Sequence, residues 1–297
     1  MTKTWIILLT TCVAGAVASL GGRAEDFGSA DKPVEIGLCA SLFRDMPDGV
    51  LDVMAKPFGI LMAAQTGMVG RLVKAGDADD LGQRLHEQKT HLGVFHGYEF
   101  AWARQKFPEL KPLVLAVNQH RHVKALLMVR ADSDVTSFAD LKGKTLDMPH
   151  GSWGHCHLFL EHRCHCAGHC PMEKHLGKVC AAANSEEALD EVVDGTVDAT
   201  VVDSLVLDCY KRRKPGRFAE LKVAVESETF PAGVVAYRPG TLDDKTLGKF
   251  RESLLTTHKT ILGRQLLTLW RLTGYEPIPD DFEKDLSNIV QAYPRPE

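Results

Sequence analysis

Histidine and cysteine are concentrated in residues 150–175, which hold seven of the thirteen histidines and four of the eight cysteines in the chain. Imidazole and thiolate groups are the ligands that Zn²⁺ and Cu(I) prefer in proteins. If residues 153–165 form a helix, side chains four and seven positions apart share one face. The segment therefore indicates a metal site, with ligands drawn from His157, Cys164, Cys166, His169 and Cys170.

The residues just before this cluster indicate a different chemistry. The sequence DLKGKTLDMPHGSWG (140–154) is typical of a strand, a glycine-containing turn and the start of a helix. Such a helix start exposes the backbone N–H groups of Trp153, Gly154 and His155, and Ser152 adds a hydroxyl. Unpaired amides at the positive end of a helix favour an anion. The same place therefore predicts an oxyanion site, although Ser152 could serve only as the N-cap.

Several patterns limit these two interpretations. The C-x-C and C-x3-C spacings match no zinc finger, and no C-x-x-C-H motif for haem attachment is present. Disulfides among the clustered cysteines are a further alternative in an exported protein. The chain contains no G-x-S-x-G, H-E-x-x-H or P-loop motif. We therefore expect a binding protein, not an enzyme, with no required cofactor and with Zn or Cu only at the Cys/His-rich segment.

The N-terminus is typical of a signal peptide. Lys3 precedes an apolar run at 5–18, and small residues follow up to Ala24. The run is too short for a confident membrane span. Cys12 has Thr11 before it and lies inside the apolar run, so we do not expect a lipoprotein. The sequence predicts that residues 1–24 are removed and that the mature chain is periplasmic or otherwise exported.

The composition is that of a soluble globular protein, with 44% apolar and 25% charged residues and a net charge of −4. A nucleic-acid-binding protein usually has an excess of basic residues, so this class is not expected. The basic run at 211–217 is typical of a solvated helix end, where cations are favourable.

Strand-like and helix-like segments alternate along the chain, which favours a mostly parallel α/β sheet. Two such blocks, with a return of the chain, predict two lobes joined by crossings near 118–122 and 228–232. We expect lobe 1 to contain residues 25–120 and 233–297, and lobe 2 to contain residues 121–232. The predicted strands are 34–41, 68–76, 90–97, 110–117, 124–133, 145–151, 177–183, 221–227 and 233–240, with 197–216 running from strand into helix. The predicted helices are 50–67, 77–89, 98–108, 137–143 and 185–195, followed by 242–286 with a break at 273–281.

The order of four motifs resembles the type II periplasmic solute-binding proteins. The motifs are GVFHGYEFAWA, VRADSDVTSFADLKGKTLDMPHGSWG, EALDEVVDGTVDATVVDS and TFPAGVVAYRPGTLDDKTLGKFRESLL. They are most similar to the branch of ABC importers that binds phosphate, phosphite or phosphonate. The resemblance implies a monomeric protein that holds a small oxyanion between two closing lobes and delivers it to a membrane permease.

The resemblance also assigns roles to individual residues. It implies that Tyr98 and the Ser152 loop bind the ligand, and that Asp203 accepts a hydrogen bond or pairs with an amine. Ser41 ends the first strand, which is a usual cleft position in such sheets. The chain departs from the branch at Ser185, where relatives often carry a histidine, and no arginine is expected in the cleft. His122 or His155 could take over the role of that histidine.

Overall fold

The structure is a computed structural model that describes residues 33–44, 49–168 and 172–295. The strands are β1 (Val34–Leu38), β2 (Gly70–Lys74), β3 (Leu92–Phe95), β4 (Lys111–Val117), β5 (His122–Val123), β6 (Ala125–Arg130), β7 (Thr145–Asp147), β8 (Lys178–Cys180), β9 (Ala199–Asp203), β10 (Leu221–Glu226), β11 (Phe230–Pro231), β12 (Gly233–Tyr237) and β13 (Gly274–Glu276). The helices are α1 (Val50–Thr66), α2 (Ala78–His86), α3 (Gly97–Lys106), α4 (Gly154–Gly168), α5 (Met172–His175), α6 (Ser185–Val193), α7 (Ser204–Arg213), α8 (Pro215–Phe218), α9 (Asp244–Thr256), α10 (Ile261–Leu269) and α11 (Phe282–Ala292).

Two larger sheets contain most of the strands of the described residues. The first has the order β13-β4-β12-β3-β1-β2, and the second has the order β10-β6-β9-β7-β8. In the first sheet β1 is parallel to both β2 and β3. In the second, β7 is parallel to both β8 and β9. Each parallel group carries helices in its connections, as right-handed βαβ units require.

The chain passes between the two sheets at β5 and β11, which pair with each other in antiparallel fashion. These are the places where the sequence predicts the two crossings. The strand after each crossing runs against its neighbours: β6 is antiparallel to β9 and β10, and β12 is antiparallel to β3 and β4. Both sheets of the described residues are therefore mixed and not mostly parallel as predicted, because five of their nine strand pairs are antiparallel. Strands β6 and β12 mark where the chain changes sheet.

Local sequence signals explain where the helices near the sheet ends begin. The carboxylate of Asp77 accepts hydrogen bonds from the N–H groups of Asp79 and Asp80, and the amide oxygen of Asn184 does the same for α6. Asp203 accepts from the N–H of Leu205 and so caps α7. Such caps satisfy amides that have no partner inside the helix. They fix each helix start directly behind a strand end.

Two predicted elements differ from the structure. The segment 137–143 forms a 3₁₀ turn at Ala139–Leu141 and no α-helix. The turn forms because the carboxylate of Asp140 accepts hydrogen bonds from the N–H groups of Thr136 and Ser137. These hydrogen bonds lower the pKa of Asp140 to about 2. The break predicted at 273–281 contains β13, which pairs with β4 and so extends the first sheet. No helix of the described residues is long and apolar enough to span a bilayer.

Candidate ligand-binding site

A cavity with a volume of about 210 Å³ lies where the carboxyl ends of β1, β3, β7 and β9 converge, next to the two crossings. We call this cavity the cleft. In open α/β sheets, ligands bind beyond the carboxyl ends of the strands. The lining of the cleft includes all seven residues that the sequence predicts as ligand-binding: Ser41, Tyr98, Ser152, Trp153, Gly154, His155 and Asp203.

The start of α4 presents backbone donors to the cleft. The N–H of Cys156 bonds to the carbonyl of Trp153 and the N–H of Ser152 bonds to that of Pro149. Within the described residues, the N–H groups of Trp153, Gly154 and His155 donate to no other group. These amides stand at the positive end of a fifteen-residue helix, which is the arrangement that stabilises an anion.

The hydroxyl of Ser152 is already used in the turn. It donates to the carbonyl oxygen of Pro149 at 2.6 Å. A ligand would therefore have to replace this bond before Ser152 could donate to it. Ser152 lies at the cleft as predicted, but in this structure it stabilises the turn that leads into α4.

Two ring side chains, one from the N-cap of α3 and one from its first turn, lie next to the start of α4. The rings of His96 and Tyr98 stack, with centroids 5.5 Å apart and planes within 6°. The ring of Tyr98 also makes T-shaped contacts with the rings of Trp102 and Phe230, with centroids 5.0 Å and 6.0 Å apart. Burial, reinforced by the Glu99 carboxylate, raises the pKa of Tyr98. The phenol therefore keeps its proton at neutral pH and can donate it to an anion.

The Nε2 atom of His96 is buried and makes no hydrogen bond within the described residues. Burial is the main cause that lowers the pKa of His96 below its ordinary value of 6.5, while the Glu99 carboxylate acts in the opposite sense. The imidazole is therefore neutral at pH 7. A buried polar atom without a partner is costly, so its position in the cleft lining favours a ligand-binding role.

Gly154 has no side chain, and the space beside it is occupied by Tyr98 and His96. A Cβ atom at this position would lie 2.5 Å from the Tyr98 hydroxyl and 3.3 Å from Nε2 of His96. His96 and Tyr98 lie at the start of α3, behind strand β3 of the first sheet, whereas Gly154 follows strand β7 of the second sheet. The missing side chain of Gly154 therefore lets donors from both sheets approach one point.

His155 and Asp203 form a close buried pair at the base of the cleft. Nε2 of His155 lies 2.8 Å from Oδ2 of Asp203, and the two side chains are 6% and 2% exposed. The histidine nitrogen lacks the alignment of a hydrogen bond, so the pair is a close contact. The other oxygen of Asp203 caps α7 through Leu205 at 2.7 Å. Both carboxylate oxygens thus face protein groups, and His155 packs on the ring of Phe230.

Ser41 approaches from the end of β1, in a short 3₁₀ helix (Ala40–Phe43). Its Oγ is buried and has no hydrogen-bond partner among the described residues. It lines the cleft with His96 and Tyr98 on the same sheet. A hydroxyl without a partner at this place is suited to meet a ligand.

Sequence reasoning missed two cationic residues of the cleft. Arg44 and Arg271 both line it, which corrects the expectation that no arginine would be present. Nη1 of Arg271 donates to the carbonyl oxygen of Gly151 at 3.0 Å, and Arg271 has a left-handed φ of 54°. It follows α10 in the first sheet's part of the chain and reaches the loop before α4. No local pattern in the sequence indicates this contact.

The two candidate substitutes for the family histidine differ in position. His155 lines the cleft, as described above. His122 does not; its Nε2 lies 2.7 Å from Oδ2 of Asp285. Ser185 begins α6 behind its cap Asn184 and is also outside the lining. From the first sheet, the buried His96 after β3 and the exposed His120 after β4 both line the cleft.

The cysteines of α4 do not gather on a ligand-bearing face. Cys156 and Cys164 are 1% and 0% exposed and belong to the hydrophobic core with Phe159 and Leu160. Burial, with Asp203 as a second cause, raises the pKa of the Cys156 thiol. Cys166 is exposed, and its Sγ lies 3.8 Å from Nε2 of His162. The reason is periodicity: the apolar face of α4 takes Cys156 and Cys164 inward.

The metal site is not supported by the described part of the chain. No group of three or more His, Cys, Asp or Glu residues in this part could hold a metal ion. Of the predicted ligands, His157, Cys164 and Cys166 are described, whereas His169 and Cys170 lie outside the described residues.

Comparison with known proteins decides between the two chemistries. The sequence model of the family described as "ABC transporter, phosphonate, periplasmic substrate-binding protein" matches residues 46–282, which is most of the chain. The chain belongs to this family. It is a phosphonate-binding periplasmic substrate-binding protein of an ABC transporter, and the resemblance inferred from the four motifs is confirmed.

Solved structures confirm the two-lobed α/β fold of this phosphonate-binding protein. The protein XAC2383 from Xanthomonas citri, bound to ATP, has 17% identity and a TM-score of 0.60, with 89% of this chain and 97% of that chain covered. PhnD1 from Prochlorococcus marinus, in complex with methylphosphonate, has 15% identity and a TM-score of 0.58, covering 88% and 97%. The binding protein PA3383 of an ABC phosphonate transporter from Pseudomonas aeruginosa has 17% identity and a TM-score of 0.55, covering 88% and 87%. No curated protein matches the chain.

Proposed function

We propose that this phosphonate-binding protein holds the phosphonate group of its ligand against the start of α4. The supporting observation is that the N–H groups of Trp153, Gly154 and His155 have no other partner among the described residues, and that these residues line the same cleft as Tyr98. Three amides and a phenol provide four donors for the oxygens of one phosphonate. Charge-assisted bonds of this kind are the strong ones.

The remaining cleft residues complete the site in this proposal. Ser41 and His96 contribute donors from the first sheet, because their Oγ and Nε2 atoms are buried without partners. Ser152 joins after it releases the carbonyl of Pro149. Asp203 orients His155 from behind, since one carboxylate oxygen lies 2.8 Å from Nε2 of that histidine. The site needs no metal and no cofactor, and no residue in it is assigned a catalytic role.

In this proposal the ligand is held by closure of the two lobes around it. Lobe 1 is formed by residues 25–120 and 233–297, and lobe 2 by residues 121–232. The donors come from both, so they converge only when the lobes close. The signal peptide at 1–24 directs the protein to the periplasm, where the closed monomer delivers its ligand to a membrane permease. The methylphosphonate held by the Prochlorococcus marinus relative supports this ligand class.

The proposal is tested by calorimetry and thermal unfolding of the mature chain with methylphosphonate, phosphate and sulfate. Methylphosphonate at a hundred times its dissociation constant should raise the free energy of unfolding by about 2.7 kcal/mol. The Tyr98→Phe variant should bind at least about tenfold more weakly, because it loses a hydrogen bond to a charged group. Tyr275→Phe is the matched control, since Tyr275 is buried in β13 outside the cleft lining. Absence of binding by every oxyanion would overturn the proposal.

A further inference from the structure

The cleft is larger than a small phosphonate requires. Its volume of about 210 Å³ is many times the roughly 10–15 Å³ that a cavity needs to hold one water molecule. Methylphosphonate has only five non-hydrogen atoms. Once its phosphonate group is seated at the start of α4, most of the methyl side of the cleft is still available. The remaining volume can accommodate a larger organic substituent on the ligand.

The lining of the cleft includes six large apolar side chains outside the strands. They come from three places in the fold: the 3₁₀ helix after β1, the residue before α4, and the end of α10. The residues are Leu42, Phe43, Trp153, Leu269, Trp270 and Leu272. Leu269 is 45% exposed at this position, so its side chain is available to a ligand. Apolar and aromatic walls with a few polar groups are typical of sites for organic ligands.

The charges of the cleft disfavour an amine on the ligand. Among the described lining residues, Asp203 is the only carboxylate, whereas Arg44 and Arg271 are both cationic. Asp203 is 2% exposed, and its two oxygens are directed to the N–H of Leu205 and to His155. Among the described lining residues, an ammonium group would therefore find no available carboxylate, whereas two guanidinium groups border the same cleft. Like charges at short range are unfavourable.

Resting on the proposed function, we propose that the cleft selects phosphonates whose organic substituent is uncharged, apolar and larger than methyl. The phosphonate group meets the α4 amides and the substituent lies against the end of α10. Aminoalkylphosphonates and inorganic phosphate are the ligands that the cleft disfavours. Each buried methylene is expected to tighten binding by roughly fourfold.

Propylphosphonate and 2-aminoethylphosphonate provide the decisive comparison, because they have the same shape and differ in one terminal methyl or ammonium group. Calorimetry of the mature protein should give propylphosphonate roughly fifteenfold tighter binding than methylphosphonate, and phenylphosphonate should bind at least as tightly. 2-Aminoethylphosphonate and phosphate should bind more weakly than methylphosphonate. Equal or tighter binding of 2-aminoethylphosphonate than propylphosphonate would overturn the inference while leaving the proposed function intact. Failure of all phosphonates to bind would instead overturn the proposed function.

A pair of variants tests where the substituent lies. Leu269→Glu places a carboxylate at the apolar wall and should shift the ratio of the two dissociation constants at least tenfold toward 2-aminoethylphosphonate. Ile261→Glu is the matched control, since Ile261 is 71% exposed on the same helix and does not line the cleft. It should leave the ratio unchanged. An unchanged ratio in a folded Leu269→Glu protein that still binds propylphosphonate would overturn the assignment of the α10 end.

Discussion

The hydroxyl of Tyr98 lies so close to the Cα of Gly154 that a Cβ atom there would be 2.5 Å from it. The two residues are on opposite sides of the cleft, one on α3 and the other at the start of α4. A phenol held between His96, Trp102 and Phe230 cannot easily move away. Glycine at position 154 is therefore a condition for the approach of the two walls.

Replacement of Gly154 by alanine should weaken ligand binding by roughly tenfold or more, because overpacking of a tight contact costs about 1–3 kcal/mol. Opening of the cleft relieves the clash, so the free energy of unfolding without ligand should change little. Calorimetry with methylphosphonate and urea denaturation measure the two effects. Gly248→Ala is the control, since a Cβ there meets nothing within 4 Å. Unchanged affinity in Gly154→Ala would contradict the close approach of the walls.

Removal of the guanidinium in Arg271→Ala should lower the affinity for methylphosphonate by about tenfold. The side chain donates to the carbonyl of Gly151 across the cleft and adds positive charge beside the anion site. A hydrogen bond from a charged group contributes about 1.5–3 kcal/mol. Arg264→Ala is the control, because Arg264 also donates to a backbone carbonyl, that of His258, but lies outside the cleft lining. If both variants bound equally well, Arg271 would have no role in closure.

The stability of the ligand-free protein should fall as the pH drops below about 6.5. Burial lowers the pKa of His96, and also those of His91 and His162, below the ordinary value of 6.5. Below that pH the unfolded chain takes up protons that the folded chain resists, so protonation favours unfolding. The stabilisation is complete above pH 6.5 and is lost as the pH falls toward the lowered values. Each histidine contributes at most about 1.4 kcal/mol per pH unit.

Urea denaturation between pH 7.5 and 5.5 checks this dependence. His96→Gln should reduce the slope of the free energy of unfolding against pH, because it removes one of the three groups. His258→Gln provides the control at an exposed position. A slope that His96→Gln leaves unchanged would mean that His96 does not contribute.

Thiol labelling should separate the cysteines by burial. Cys166 is exposed, so its thiol should react with a disulfide reagent in the first, fast phase of the labelling reaction of the folded protein. Cys39 and Cys156 are buried, and burial raises the pKa of both thiols, so they should react only after unfolding. Cys166→Ser should remove one equivalent from the fast phase. If the fast phase of the folded protein included Cys156, the packing of α4 would be different from that described.

Much of the fold and several cleft residues could be predicted from local sequence. The alternation of strand and helix patterns placed Ser41 near a strand end, and strand ends of parallel sheets meet at one edge. The resemblance to the family, carried by the four motifs, indicated Tyr98 and Asp203. The glycine-rich turn before α4 predicted exposed amides at a helix start. These features depend on neighbours within a few residues, so the sequence contains them.

Other features depend on contacts between distant segments. Arg271 and Gly151 are 120 positions apart, and their hydrogen bond exists only because α10 and the loop before α4 border the same cleft. The short strand β13 forms by pairing with β4, so its own three residues do not indicate a strand in the sequence. Cysteine and histidine spacing suggested a metal site, but packing of α4 on the core turned Cys156 and Cys164 inward. The sequence by itself determined most of the elements and the turn that exposes amides before α4, whereas tertiary structure decided which charges and apolar side chains surround them, because burial and proximity are properties of the assembled chain.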